Sequence, residues 1–249
     1  MAEGAVVQSM IMQVAQQANA ALSITGKVSS DAISGIITAC RIPKSFAMTF
    51  DDGPGKLFDQ VVDRLDELGV KATFFVNGNN VGNLDNAADA NKIRRAYQSG
   101  HQIASHTFSH ADLDQLDAAG IRSEMDKLDQ QLLRIIGRRP VYMRPPFGNA
   151  NSATQRTLQK LGYRIVNWNL DTLDWKHPRN AKESLKAYRR ALNQAANSGS
   201  ATFISLQHDI QPATANQLIG RAVRLVRRYG YRLMRVDECL GDQSGAYRQ

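Results

Sequence analysis

Two adjacent acids, Asp51 and Asp52, end a strand-like run and are followed at once by Gly53-Pro54, so the backbone turns there and both carboxylates sit at a strand end. Paired acids at a turn are more often capping devices than catalysts, and alone they decide nothing. A second segment shifts the balance. Ser105-His106-Thr107-Phe108-Ser109-His110 ends another strand-like run, and its two histidines, four residues apart, would face the same way on one helical turn. With His208, three of the five histidines close strand-like segments, which a solvent-scattered set would seldom do. Two imidazoles and a nearby carboxylate are the ligand set of a catalytic zinc that keeps a position open for water, not the closed four-ligand set of a structural zinc. The two cysteines, Cys40 and Cys239, lie far apart and offer no competing thiolate site.

The elements that must position these groups alternate. Strand-like segments run over Ser45 to Thr49, Ala72 to Val76, Gln102 to Ser105, Val141 to Arg144, Arg164 to Asn169, Thr202 to Leu206 and Arg232 to Val236. Between them lie helical patterns such as Leu57, Val61, Leu65, Leu68 and Ile121, Met125, Leu128, Leu132, Ile135, closed by Gly69 and Gly137. Such alternation means parallel strands with crossover helices. The expected fold is α/β, a small or distorted (β/α) barrel of about seven parallel strands with outer helices; an open doubly wound sheet is the competing arrangement. No Gly-rich dinucleotide or phosphate loop follows any strand, and the polar clusters fall at strand C-terminal ends, where such folds place their sites.

With 249 residues, 43% of them hydrophobic, the chain can bury one full core. Residues 1–40 are expected to form a helical extension packed on the barrel, and residues 41–249 the main domain. The net charge of +8 reads as scattered over helix-like segments, with a modest cluster at Arg221, Arg224, Arg227, Arg228 and Arg232 that is expected to be a solvated helix face. No nucleic-acid groove is expected, no apolar run reaches the ~18 residues of a membrane span, the N-terminus lacks a signal-peptide pattern, and a monomer is the default. Cys40 and Cys239 flank the first and last strong strands. A disulfide there would enclose nearly the whole domain, stabilising it by about 5 kcal/mol at most; two free buried thiols are the alternative.

Five segments in order resemble the motifs of the polysaccharide deacetylases, the NodB-homology domain of carbohydrate esterase family 4. They are Thr49-Phe50-Asp51-Asp52-Gly53-Pro54, Ser105 to His110, Arg144-Pro145-Pro146-Phe147-Gly148, Asp171-Thr172-Leu173-Asp174-Trp175 and Leu206-Gln207-His208-Asp209. Within that family the wording is most similar to fungal chitin deacetylases, although Phe108 stands where many of those have Trp. The resemblance implies that residues 41–249 form a catalytic domain removing N-acetyl groups from chitin or chito-oligosaccharides, giving chitosan and acetate. It implies Asp52, His106 and His110 as ligands of zinc, with Co2+ or another divalent metal as substitutes, and Asp51 as general base. Arg144 would pair with Asp51, and His208 would be the general acid, charged and oriented by Asp174. The backbone N–H of Phe147 would bind the oxyanion, Trp175 and Leu206 would wall the acetyl pocket, and Asp171 would be a further substrate-binding residue. It also implies a secreted or cell-wall protein, which favours the disulfide. Alternatives stay open. Asp171 and Asp174 lie three apart and either can be aimed inward, Asp209 could cap the next segment, and Arg144, Trp175 and Leu206 could be a strand-end ion pair and plain core. The same chemistry on peptidoglycan or O-acetylated xylan, or a non-catalytic sugar-binding relative, are competing functions.

Overall fold

The structure is a computed structural model that describes residues 35–249. In chain order its elements are β1 (Ile36–Ile37), β2 (Ser45–Asp51), α1 (Phe58–Glu67), β3 (Thr73–Val76), α2 (Ala87–Gln98), β4 (Gln102–Ser105), α3 (Ala118–Ile136), β5 (Arg139–Pro140), β6 (Tyr142–Met143), α4 (Ser152–Lys160), β7 (Arg164–Val166), β8 (Leu170–Asp171), α5 (Lys182–Gln194), β9 (Phe203–His208), α6 (Ile219–Arg228), β10 (Arg232–Met234), α7 (Val236–Cys239) and β11 (Tyr247–Arg248). Helix ends follow local chemistry. In α3 the Asp117 carboxylate accepts the Gly120 N–H, and Gly137 closes the helix at φ 69°, a conformation costly for any residue with a Cβ.

Nine strands form one sheet in the order β1-β7-β6-β4-β3-β2-β9-β8, with β10 beside the first half of β2, and every pairing in it is parallel. The sheet curls into a distorted (β/α) barrel. Its curl is visible in residues 167–169, which join β7 near one edge to β8 at the other; three residues can bridge only about 14 Å between Val166 and Leu170. Two short strands, β1 and β8, escaped the periodicity because two residues hold no period. The expected strand over Arg164 to Asn169 stops at Val166, since the carbonyls of Val166 and Asn167 turn to accept the guanidinium of Arg144. The expected N-terminal helical extension lies, as far as residue 34, outside the described residues; Ile36–Ile37 pairs with β7 as an edge strand.

Period-2 alternation decides what each strand offers to each side. Phe46, Met48, Phe50, Phe74, Val76 and Ile103 point outward and pack beneath Val61, Leu65, Ile93, Leu128 and Leu132 of the surrounding helices. Ala47, Phe75, Ala104, Tyr142, Val166 and Ile204 point inward and form a second cluster. Continuing the inward parity toward the strand C-termini gives Thr49 and Asp51, His106, Arg144, and Leu206 and His208. The site is the top layer of the barrel interior.

Cys40 and Cys239 form a disulfide across 199 residues, with Cα atoms 5.1 Å apart, tying the chain before β2 to α7. Closing a loop of this length removes entropy from the unfolded chain worth about 5 kcal/mol as a ceiling. The double variant Cys40→Ser/Cys239→Ser is expected to lose ~2–5 kcal/mol of unfolding free energy in urea. An unchanged midpoint would show that packing of α7 alone holds this end.

Candidate active site

At the end of β2, Asp51 is buried and lies in register with His208 of the adjacent β9. Arg144 is fully buried and donates from one terminal nitrogen to Asp51 Oδ1 and Thr49 Oγ1, each at 2.7 Å. Its remaining donors reach the carbonyls of Val166 and Asn167 at 3.2 and 3.1 Å, and its Cζ lies 4.2 Å from the centre of the Phe75 ring. A buried guanidinium thus finds an anion, three neutral acceptors and a ring face, which is what burying it requires. Asp51 Oδ2, the oxygen that Arg144 leaves, lies 3.9 Å from His106 Nε2.

Asp52 takes φ 77°, turning its carboxylate away from that of Asp51. Gly53 allows this turn, because a Cβ there would lie 2.2 Å from Asp209 Oδ2. Asp52 Oδ1 faces His106 Nε2 at 3.5 Å and His110 Nε2 at 3.2 Å, and the three prospective ligand atoms all lie within 4.8 Å of one another. Burial alone would raise the Asp52 carboxyl, but the facing imidazoles hold it well below the usual carboxylate range.

The two histidines do not share a helical turn. Residues 106–110 form a loop in which Thr107 and His110 take φ of 70° and 61°. Asn77 donates to the carbonyls of His106 and Thr107, and Ser109 donates its N–H and hydroxyl to Glu124 at 2.8 and 2.9 Å, so the loop is pinned from both sides. His106 Nδ1–H donates to the Arg144 carbonyl at 2.7 Å, which fixes the ring and aims Nε2 at Asp52. Among the described residues six non-glycine positions have positive φ; five of them, Asp52, Thr107, His110, Phe147 and Leu173, lie in or beside this site. Strain of this kind persists only where the surroundings over-determine it, and here it sets ligand directions.

Opposite Asp51, His208 Nδ1 is 2.8 Å from Asp174 Oδ1, and the His208 N–H donates to Asp174 Oδ2 at 2.8 Å. Thr214 donates to the same Oδ2 at 2.6 Å. Burial by itself would lower His208, but Asp174 and the charges of Asp51 and Asp52 raise it to about 9, so it is an imidazolium at neutral pH. Of the two acids three apart, Asp174 reaches the histidine. Asp171 Oδ1 accepts the Leu173 N–H at 2.8 Å, and so supports the turn that carries Asp174 beneath His208. Asp209 caps nothing. It is fully buried, neither carboxyl oxygen has a hydrogen-bond partner, and burial together with Asp52 pushes its carboxyl well up.

These groups share one cavity of about 510 Å³, lined among others by Asp51, Asp52, His106, His110, Phe147, Trp175 and His208. Leu206 and Asp171 also line it. Phe147, 64% exposed, and Trp175, 48% exposed, stand at its rim, so neither is core. The Phe147 ring meets His110 edge to face at 4.9 Å. Trp168 forms a further wall and lies 5.5 Å from the Arg144 guanidinium, while Thr49 and Thr214 buttress the two charged pairs; the sequence reading assigned none of the three. Period-2 spacing from Asp51 was a signal for Thr49. Thr214, forty residues from Asp174, left none.

The trio fits a divalent cation by its own chemistry. A buried Asp52 Oδ1 lacks a hydrogen-bond partner, and two imidazole nitrogens converge on it with no other role. The arrangement can hold a cation between an ion-paired carboxylate on one side and a charged imidazole on the other.

The chain resembles known proteins in sequence and in fold. A family model described as polysaccharide deacetylase matches residues 38–166. The chain is 42% identical over 221 residues to a chitin deacetylase of Pestalotiopsis sp, covering 89% of this chain and 72% of the relative. It is 37% identical to a chitin deacetylase of Colletotrichum lindemuthianum, covering 83% of each. The solved structure of the chitin deacetylase from Colletotrichum lindemuthianum superposes with a TM-score of 0.82 at 35% identity, covering 87% of this chain and 96% of that one.

Proposed function

The chain belongs to the polysaccharide deacetylase family, and from that premise we propose that it is a metal-dependent hydrolase that removes N-acetyl groups from the N-acetylglucosamine units of chitin or chito-oligosaccharides, giving chitosan and acetate. One observation carries this reading: the Asp52–His106–His110 trio lies between Asp51, paired with Arg144, and His208, charged by Asp174. Two titratable groups with opposite tasks face one reacting centre, the arrangement that amide hydrolysis needs.

Zinc, or another divalent cation held by Asp52, His106 and His110, would polarise the acetyl carbonyl and make water a stronger nucleophile at neutral pH. Asp51 takes the proton of the attacking water on Oδ2, while Arg144 holds Oδ1 and fixes the carboxylate's plane. The backbone N–H of Phe147, a residue that lines the cavity at φ 60°, would donate to the oxyanion. His208 then protonates the leaving amine from Nε2, since an amine without that proton is a poor leaving group, and Asp174 stabilises the imidazolium until it does so. Trp175 and Leu206 would enclose the acetyl methyl, and Asp171 supports the turn that carries Trp175. The disulfide fits a protein that works outside the cell or in a cell wall. The wording of the motifs and the fungal relatives favour chitin over peptidoglycan or O-acetylated xylan.

Zinc-loaded protein is expected to release acetate from N-acetylglucosamine oligomers, to lose that activity on chelation, and to regain it when zinc is restored. Peptidoglycan and acetylated xylan are assayed in parallel. Acetate from only one of those polymers corrects the substrate, and none from any of them with metal bound overturns the hydrolase.

A further inference from the structure

The charge excess is not scattered once the chain folds. Helix α5 carries Lys182, Lys186, Arg189 and Arg190 against a single acid, Glu183. Helix α6 carries Arg221, Arg224, Arg227 and Arg228 and no acid. These two helices alone hold nearly the whole of the chain's +8. They are successive crossovers onto parallel strands, so they run in the same direction, and they pack against each other. On α5 the bases recur at spacings of four and three, on α6 at three and four, so each helix turns one row of cations to solvent, and all eight are exposed. Along each row the cations rise ~5.4 Å per turn, and packed helix axes lie ~8–10 Å apart. Lys186 is paired with Glu183, and Arg227 donates to the Leu68 carbonyl. The other six make no ion pair among the described residues. Six cations without an ion-pair partner on one face cost self-repulsion, which an anion meeting them would relieve.

We propose that the α5–α6 face binds an acidic polysaccharide, a chain with carboxylates along its length, and holds the protein beside the glycan on which its cavity acts. The polymer class rests on the family reading. The surface itself argues against two other polyanions. Single-stranded nucleic acid is gripped by exposed aromatic platforms, but Tyr188 of α5 is buried, and Tyr229, which closes α6, is half-buried with its hydroxyl donated to Asn193 of α5. A membrane-surface helix needs apolar residues to insert, and the exposed large hydrophobics of the described residues, Val81, Phe147 and Trp175, all lie elsewhere. A flexible polymer of carboxylates asks only for rows of cations spaced on the scale of a sugar unit. None of the eight cations lines the cavity, so tethering and catalysis are separable.

The test is binding of the metal-loaded protein to polygalacturonate at rising salt, for wild type and for Arg189→Gln/Arg190→Gln/Arg221→Gln/Arg224→Gln. A control with the same loss of charge, Arg122→Gln/Arg138→Gln/Arg156→Gln/Lys160→Gln, removes exposed cations from other elements. Wild type is expected to bind with a steep loss on adding salt, the α5–α6 variant at least tenfold more weakly with a shallower slope, and the control nearly as wild type. Acetate release from soluble neutral chito-oligosaccharides is expected to be the same in all three. Equal weakening in both variants, or none in the first, overturns the proposal, and tighter binding of DNA or of phosphatidylserine vesicles than of polygalacturonate overturns the polysaccharide. Retained polymer binding in a protein that releases no acetate would fail the hydrolase reading while leaving this face standing.

Discussion

Asp51→Asn is expected to lower acetate release by roughly 10²–10⁴-fold, with zinc content unchanged. Asn keeps the shape and can still accept from Arg144, but it cannot take the proton of the attacking water. The substitution also leaves the Arg144 charge without its anion in a fully buried position, and breaking such a pair typically costs ~3–5 kcal/mol. The acceptors at Thr49, Val166 and Asn167 reduce that cost. Stability and chemistry are separated by the double variant Asp51→Asn/Arg144→Met, which removes both charges. It is expected to recover part of the thermal midpoint and none of the activity. A metal-loaded Asp51→Asn protein that turns over at the wild-type rate would remove Asp51 from the role of base.

Asp174→Asn is expected to act through His208. In the folded protein His208 is raised above its ordinary value to about 9, so the proton the leaving amine needs is present below that pH and lost as pH rises through it. The substitution takes away the carboxylate that raises it, and burial then pulls the imidazole down. Acetate release at pH 8 should fall by on the order of 10²-fold, and less at pH 6, so that the alkaline limb of the profile moves toward acid. Loading a dication into the neighbouring trio disfavours the imidazolium too, so the metal-loaded wild-type limb is expected below 9. The sign for stability is the same. A raised imidazole contributes stability that is complete below about pH 6.5 and is lost as pH rises through about 9, and Asp174→Asn removes it. An unmoved alkaline limb in this variant would mean that another group supplies the proton.

Much of this site could be read from the chain because its residues end strands. Inward parity along β2 and β9 puts Asp51 and His208 on one face, and a histidine pair with a carboxylate is a ligand set whatever fold holds it. Local patterning was wrong where the backbone left regular structure. His106 and His110 come together through a loop with two left-handed residues and not through a helical turn, and no periodicity encodes that. Asp209 looked like a cap and is a buried carboxyl against Gly53.

The residue types at strand ends, the alternation of strands and crossover helices and the family motifs were determined by sequence alone, because each depends on neighbours within a few positions. Tertiary structure decided that Asp174 and not Asp171 meets His208, that Thr49 and Thr214 brace the two charged pairs, that residues 167–169 join the two sides of the sheet, and that two modest basic helices become one cationic face. Each of these depends on which distant segments the curl of the sheet brings together. A side chain's partner is chosen by distance in space, while hydropathy and spacing report only on distance along the chain.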